Sequence, residues 1–404
     1  MRRLVFLALL LLAPLVIGII PARAAQATPE QAMLMQLFGS APITADMFTP
    51  EFLARAPIGQ IRDIFSKVRA AVGPALSVEK TENGFVVRTA RYAVPAEITL
   101  AGDGRVDSFM LRQPQENFAA VPDVLKAIDG LPGQVAYLVT RNGASVAERA
   151  QDQPLAVFSG FKLAVLAALD DEIKAGRIRW DQVVRLDRLN ISLTPGELQD
   201  FAPGSPVTVH TLAALMTAQS DNTATDQLID LIGRDKVAAR LGGRFVLKTT
   251  EFYKLKADPA RQLRYIGGDD DVRRQIAGGL ADQPLPAPAD VMAPLTDKLE
   301  WYLSSNDLCR LIGAVGDLDV AQINPGVARR ADWRRIAFKS GSEVGVASLT
   351  SLLTAEDGTR FCVSLTVNDH KALDEARVTA LYSALVALLA KPGATAAPAT
   401  PARN

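Results

Sequence analysis

The chain has 404 residues, 49% of them hydrophobic, which exceeds one ordinary domain and predicts two domains plus tails. Lys+Arg and Asp+Glu balance at 44 each, so no overall charge argues for nucleic acid or an anionic membrane surface as partner. Small neutral ligands stay open.

Met1-Arg2-Arg3, the apolar run Leu4 to Ile20, and Pro21-Ala22-Arg23-Ala24-Ala25 read as a signal peptide over residues 1–24. The competing reading is an uncleaved anchor, but the run is short for a membrane span and is interrupted by Pro14 and Gly18. Cleavage removes three arginines and leaves the mature chain slightly acidic, with no stable span expected. The first folded unit is predicted over 26–118. Helical spacing covers Glu30 to Phe38 and Ile58 to Val72, and strand-like runs cover Leu76 to Lys80, Phe85 to Tyr92, Glu97 to Leu100 and Val106 to Leu111. Turn signals at Asn83-Gly84 and Gly102-Asp103-Gly104 make this a small helix-plus-antiparallel-sheet unit. It shows no catalytic set, Tyr92 and Asp103 being candidates only because they ionise.

Pro114, Pro122 and Pro132 mark the connection, with the linker drawn at 119–133 and a second domain over 134–390. That domain opens with a hairpin, Gln134 to Thr140 and Ala144 to Arg149 around Asn142-Gly143. A helix follows over Ser159 to Ala175, stopped by Gly176. After the turn-rich stretch 190–206 come helices Val209 to Gln219, capped by Thr208, and Thr223 to Ile232. Further helices are predicted over Ser305 to Val315 and Leu373 to Ala390, and strands over Ile336 to Ser340, Val346 to Thr354 and Arg360 to Val367. Residues 391–404, rich in Pro, Ala and Thr, read as a disordered tail.

Three short patterns carry chemistry. In Ser159-Gly160-Phe161-Lys162, a serine and lysine three apart share a helix face, and a partly desolvated amine can take a hydroxyl's proton. Alone, the pattern is better read as a helix cap beside a solvated lysine. Ser220-Asp221-Asn222 sits between two helices and alone reads as a cap. Lys339-Ser340-Gly341-Ser342 puts a lysine in an apolar strand beside a glycine that permits close backbone approach, which suits an edge strand holding an anion. Its bland reading is a solvated strand end.

Together and in this order, the three patterns resemble those of class A β-lactamases and penicillin-binding proteins over roughly residues 130 to 390. The resemblance implies an α+β fold, a five-stranded antiparallel sheet sandwiched with a helical subdomain. It further implies Ser159 as acylated nucleophile, Lys162 as its proton acceptor and Ser220 as proton relay to the leaving nitrogen. Asn222 would bond the substrate amide, Lys339 and Ser340 would hold its carboxylate, and the amides of Ser159 and Ser342 would form the oxyanion hole.

The inventory argues against other hydrolytic chemistries. His210 and His370 are the only histidines, too few for the usual metal cluster, and Ser159 lacks a Gly-x-Ser-x-Gly setting. No cofactor or metal is expected, and His210 is read as structural. The pair Cys309 and Cys362 fits no metal or redox spacing; a disulfide and two buried thiols are both open. The family's deacylating glutamate has no clear counterpart. In Arg244 to Asp258 the only earlier acid is Glu251, with Leu255 rather than asparagine four residues on, and a first-turn acid behind a threonine cap is the simpler reading. The first unit and Lys339-Ser340-Gly341-Ser342-Glu343 also look similar to two-domain relatives associated with clavam and cephalosporin biosynthesis, which join a steroid-isomerase-like (NTF2-like) domain to a β-lactamase-like one and are esterase-like. The expectation is therefore an exported serine hydrolase, periplasmic or secreted, acting on β-lactams through an acyl-enzyme. An esterase or D-Ala-D-Ala peptidase, and a sensor that keeps its acyl group, are the alternatives.

Overall fold

In the computed structural model, residues 27–81, 84–112 and 114–391 are described, and the chain divides into two compact units at Gln115/Glu116. The expected signal peptide and C-terminal tail lie outside the described residues.

In the first unit the helix Pro29–Phe38 begins with a reciprocal cap: the Thr28 hydroxyl accepts from the Gln31 amide, and the Gln31 side chain accepts from the Thr28 amide. The helix Ile58–Val72 turns Ile61, Phe65 and Val72 inward, and Phe65 meets the Phe38 ring edge-on at 5.7 Å. These helices share one core with Phe85, Val87, Val94, Ala96 and Ile98 of an antiparallel meander. Its strands run Ser77–Thr81, Gly84–Arg88, Tyr92–Leu100 and Val106–Leu111. The expected strand over Phe85 to Tyr92 is thus two. The Thr89 hydroxyl accepts from the Arg91 and Tyr92 amides, which closes a tight turn, and the next strand starts early and runs through Pro95.

The second unit is built on a five-stranded antiparallel sheet in the order Arg335–Glu343, Val346–Thr354, Arg360–Asn368, Gln134–Arg141, Ala144–Arg149. Every residue of Val346–Thr354 is buried, because both faces of the sheet are covered. On one side Val124, Ile128, Leu381, Tyr382 and Leu385 of the helices Val121–Asp129 and Glu375–Leu389 pack against Leu349, Val363 and Leu365. On the other lies the helical region around Lys162–Lys174. That helix buries Leu163 to Leu169 without a break, so it runs through the core instead of lying on it. Cys309 and Cys362 are joined in a disulfide that ties the helix Ser305–Val315 to the strand Arg360–Asn368. The fold is the expected mixed one, with Arg335–Glu343 at the sheet's edge.

Candidate active site

Ser159 lies in a short 3-10 turn, Phe158–Phe161, that leads directly into the helix starting at Lys162. The continuous helix expected from Ser159 is therefore two pieces, and Phe158 sits at φ 40°, a left-handed conformation costly for a bulky residue. The surroundings hold it there: Trp301 stacks on Phe161 at 4.1 Å, its carbonyl accepts from the Val157 amide at 2.9 Å, and Phe252, Tyr253 and Trp301 ring Phe158. Ser159 itself is 5% exposed.

Lys162 is fully buried. Its amine donates to the Ser220 carbonyl at 2.5 Å and to Asn222 Oδ1 at 2.6 Å, with Ser220 Oγ at 3.3 Å. The expected contact with the Ser159 hydroxyl is not among these bonds. The Asn222 amide orientation follows from its neighbours, since Nδ2 donates to the Leu193 and Thr194 carbonyls and to the Tyr253 hydroxyl, leaving Oδ1 for the lysine. Burial, followed by the charge of Lys339, holds Lys162 well below the usual lysine range, against the opposing pull of Asp226 and Asp221. A neutral amine has two N–H donors and one lone pair. In that form the two short bonds to pure acceptors would use both donors and leave the lone pair for a proton.

Ser220 is the hinge of the arrangement. At φ 61° it is a non-glycine residue in the left-handed region, which aims its carbonyl at Lys162. Its hydroxyl lies between two lysines, Lys162 at 3.3 Å and Lys339 at 3.0 Å. Asp221 fixes the conformation from behind: Oδ1 caps the helix Asn222–Ile232 through the Ala224 amide, and Oδ2 accepts from the Glu197 and Leu198 amides. The loop can come this close only because Gly196 lacks a side chain; a Cβ there would lie 2.4 Å from Asp221 Cγ, at φ 133°. The cap reading and the site reading of Ser220-Asp221-Asn222 are thus both realised, by different residues.

Lys339 projects from the edge strand, 3% exposed, and also donates to the Ser340 carbonyl at 2.6 Å. Burial pushes its amine down to about 7. Two residues on, Gly341 faces the nucleophile turn: a Cβ there would lie 2.1 Å from the Val157 carbonyl oxygen, 2.6 Å from the Gly160 amide and 2.7 Å from the Ser159 amide. Close approach is therefore what the glycine provides. Ser340 is half-buried and Ser342 exposed beside it. Ser159, Lys162, Ser220, Asn222, Lys339 and Gly341 are thus gathered in one place.

Glu251 is engaged elsewhere. Its two oxygens accept from the Arg234 guanidinium at 2.7 Å each, and one also takes the Lys248 amide at 2.8 Å. It is a first-turn acid of the helix Thr249–Lys256, as the simpler reading held, but the cap position is Lys248 and not a threonine. The Thr249 and Thr250 amides instead donate to the buried carboxylate of Asp226, at 2.6 and 2.9 Å. Burial raises Asp226 to about 6 even so. His210 stays outside, paired with Asp319 on the surface.

The sequence reading missed Asp226, Tyr253, Lys256 and Glu300. Asp226 carried one signal, an acid on the same helical face as Asn222, one turn on. The others depend on segments distant in sequence. Among the described residues no three of His, Cys, Asp and Glu gather as metal ligands.

The sequence pattern of the β-lactamase enzyme family matches residues 119–390, and the chain belongs to that family. No curated protein matches. Solved structures to which the chain is similar include a β-lactamase from Sphaerobacter thermophilus, 19% identical over 68% of this chain and 97% of that one with TM-score 0.49. PBP-A is 18% identical over 67% and 94% with TM-score 0.44, and an ancestral class A β-lactamase 15% over 67% and 99% with TM-score 0.47.

Proposed function

We propose that this chain is an exported serine hydrolase that forms an acyl-enzyme at Ser159, with β-lactams as its leading substrate class. The observation that carries the reading is the Ser220 hydroxyl bridging two buried lysine amines, one of them held well below the usual lysine range by burial. In the proposed reaction Lys162 takes the Ser159 proton as Oγ bonds to the substrate carbonyl carbon. The tetrahedral oxyanion is met by the Ser159 and Ser342 amides. As the carbon–nitrogen bond breaks, the proton passes through Ser220 to the leaving nitrogen, while Lys339 and Ser340 hold the substrate carboxylate. Asn222 acts chiefly on Lys162 in this reading, since its amide is already engaged by protein groups. The Cys309–Cys362 disulfide supports an oxidising compartment, hence periplasm or outside the cell.

The engagement of Glu251 by Arg234 favours a second reading, in which acylation proceeds and release is slow, as in a sensor or an esterase that takes better leaving groups. The two-domain relatives of clavam and cephalosporin biosynthesis are the narrower proposal for the chain as a whole. Purified protein is mixed with a chromogenic cephalosporin and followed by absorbance and intact mass. Repeated turnover supports the β-lactamase, and a lasting mass increase without turnover supports the sensor. No Ser159-dependent adduct or hydrolysis with β-lactams, esters or D-Ala-D-Ala peptides overturns the hydrolase.

A further inference from the structure

Along the edge strand, residues two apart share a face, so Lys339, Gly341 and Glu343 all point toward the helical side. Lys339 reaches Ser220 and Gly341 abuts the nucleophile turn. Glu343 binds the Lys256 amine, with both side chains at least nine-tenths buried. Lys256 ends the helix Thr249–Lys256, whose Tyr253 hydroxyl holds Asn222 and, through it, Lys162. A second glutamate, Glu300, 8% exposed, immediately precedes the Trp301 that stacks under the nucleophile turn. Both Glu300 oxygens and one Glu343 oxygen are buried without a partner among the described residues.

Two carboxylates and one ammonium would leave a buried uncompensated charge, whereas a proton on Glu300 makes the trio neutral and gives the orphan Glu343 oxygen its donor. Burial, then the Glu343 charge, pushes the Glu300 carboxyl well above the usual range, with Lys256 opposing. We propose that Lys256, Glu343 and Glu300 form a clamp that fixes the end of the substrate-holding strand against both the helix Thr249–Lys256 and the segment supporting Ser159, making Glu343 and Glu300 positioning residues. The proposal rests on the acyl-transfer reading of Ser159. The groups facing the clamp are Lys256 and Tyr253 from the helix, Glu343 from the strand, and Tyr302 near Glu300, with the exposed Asp297 acting on Tyr302 from outside.

The test compares full-length wild type, Glu300→Gln and Glu300→Ala. The rate of Ser159 acylation by a chromogenic cephalosporin is followed from pH 6 to 10, with thermal unfolding and the infrared carbonyl band of a buried carboxylic acid measured alongside. Glutamine keeps a neutral donor to Glu343. It is expected to retain the rate at neutral pH and to lose one alkaline limb of the profile, while alanine lowers the rate on the order of tenfold to a hundredfold. The acid band is expected in wild type and lost in Glu300→Gln. Equal losses in both variants, an unchanged pH profile in Glu300→Gln, or no acid band assignable to Glu300 would overturn the clamp. Should wild type form no adduct, the acyl-transfer reading fails, and the infrared band still decides whether Glu300 is the clamp's proton donor.

Discussion

Replacing Gly341 with alanine tests the closest contact in the site. The added Cβ would sit 2.1 Å from the Val157 carbonyl oxygen and 2.6 and 2.7 Å from the Gly160 and Ser159 amides. All three are backbone atoms, so no side chain can swing away, and relief needs the strand and the nucleophile turn to part by more than about 1 Å to reach ordinary contact. The turn is itself held by Trp301 stacking and the strained Phe158, which limits how far it can yield. Overpacking of this kind costs roughly 1–3 kcal/mol of stability, and a 1 Å displacement of reacting groups costs on the order of a hundredfold in rate. Acylation of Gly341→Ala by a chromogenic cephalosporin, read by stopped-flow absorbance with intact mass as control, is expected to fall by about that factor while the fold survives. An acylation rate within about threefold of wild type would show that the strand does not need this proximity, and would refute the placement of the Ser159 amide beside Gly341 as a functional contact.

Other outcomes follow from the same geometry. Lys339, with a value of about 7, loses its charge as pH rises through neutrality, so KM for carboxylate-bearing substrates is expected to climb above pH 7; a flat KM profile in wild type would contradict its role as carboxylate holder. Glu251→Gln is expected to leave deacylation unchanged, because that carboxylate is bound to Arg234, and to lower stability by about 2 kcal/mol through loss of its charged hydrogen bonds to a half-buried guanidinium. Slowed deacylation without loss of stability would return Glu251 to the chemistry. Reducing the Cys309–Cys362 bridge, which closes a 53-residue separation, should cost about 4 kcal/mol, visible as a lower Tm in reductant.

The cluster around Ser159 was legible as a set because its residues sit in short local patterns that the backbone itself enforces. Ser159 and Lys162 flank a single turn, Ser220 to Asn222 fill the junction of two helices, and Gly341 marks where backbones touch. The sheet and its edge strand were also readable, from alternation and from turn signals. What escaped was set by distant partners. The break at Thr89 turns on one hydroxyl bonding two amides, which no period-two pattern reveals. Glu251 could not be told from a base by its sequence position; its engagement by Arg234, seventeen residues earlier, shows only in the structure. Nor does the sequence disclose that Lys162 would face Ser220 and Asn222 in preference to Ser159.

That last difference bears on how the site would work. Bonds to Ser220 and Asn222 fix the direction of the Lys162 amine, and the strained left-handed backbone of Ser220 is what supplies one of those two acceptors. In the proposed reaction the strain at Ser220 would serve the chemistry: an unfavourable backbone conformation, held by Asp221 and by the room left at Gly196, would keep the proton-accepting side of Lys162 from rotating away. Gly196→Ala breaks that chain without touching any residue that meets substrate. It is expected to lower acylation at every pH and leave KM for carboxylate substrates nearly unchanged, because Lys339 stands on a different element. A variant whose KM rises while its acylation rate holds would show instead that the loop around Gly196 serves binding and that Lys162 needs no such anchoring.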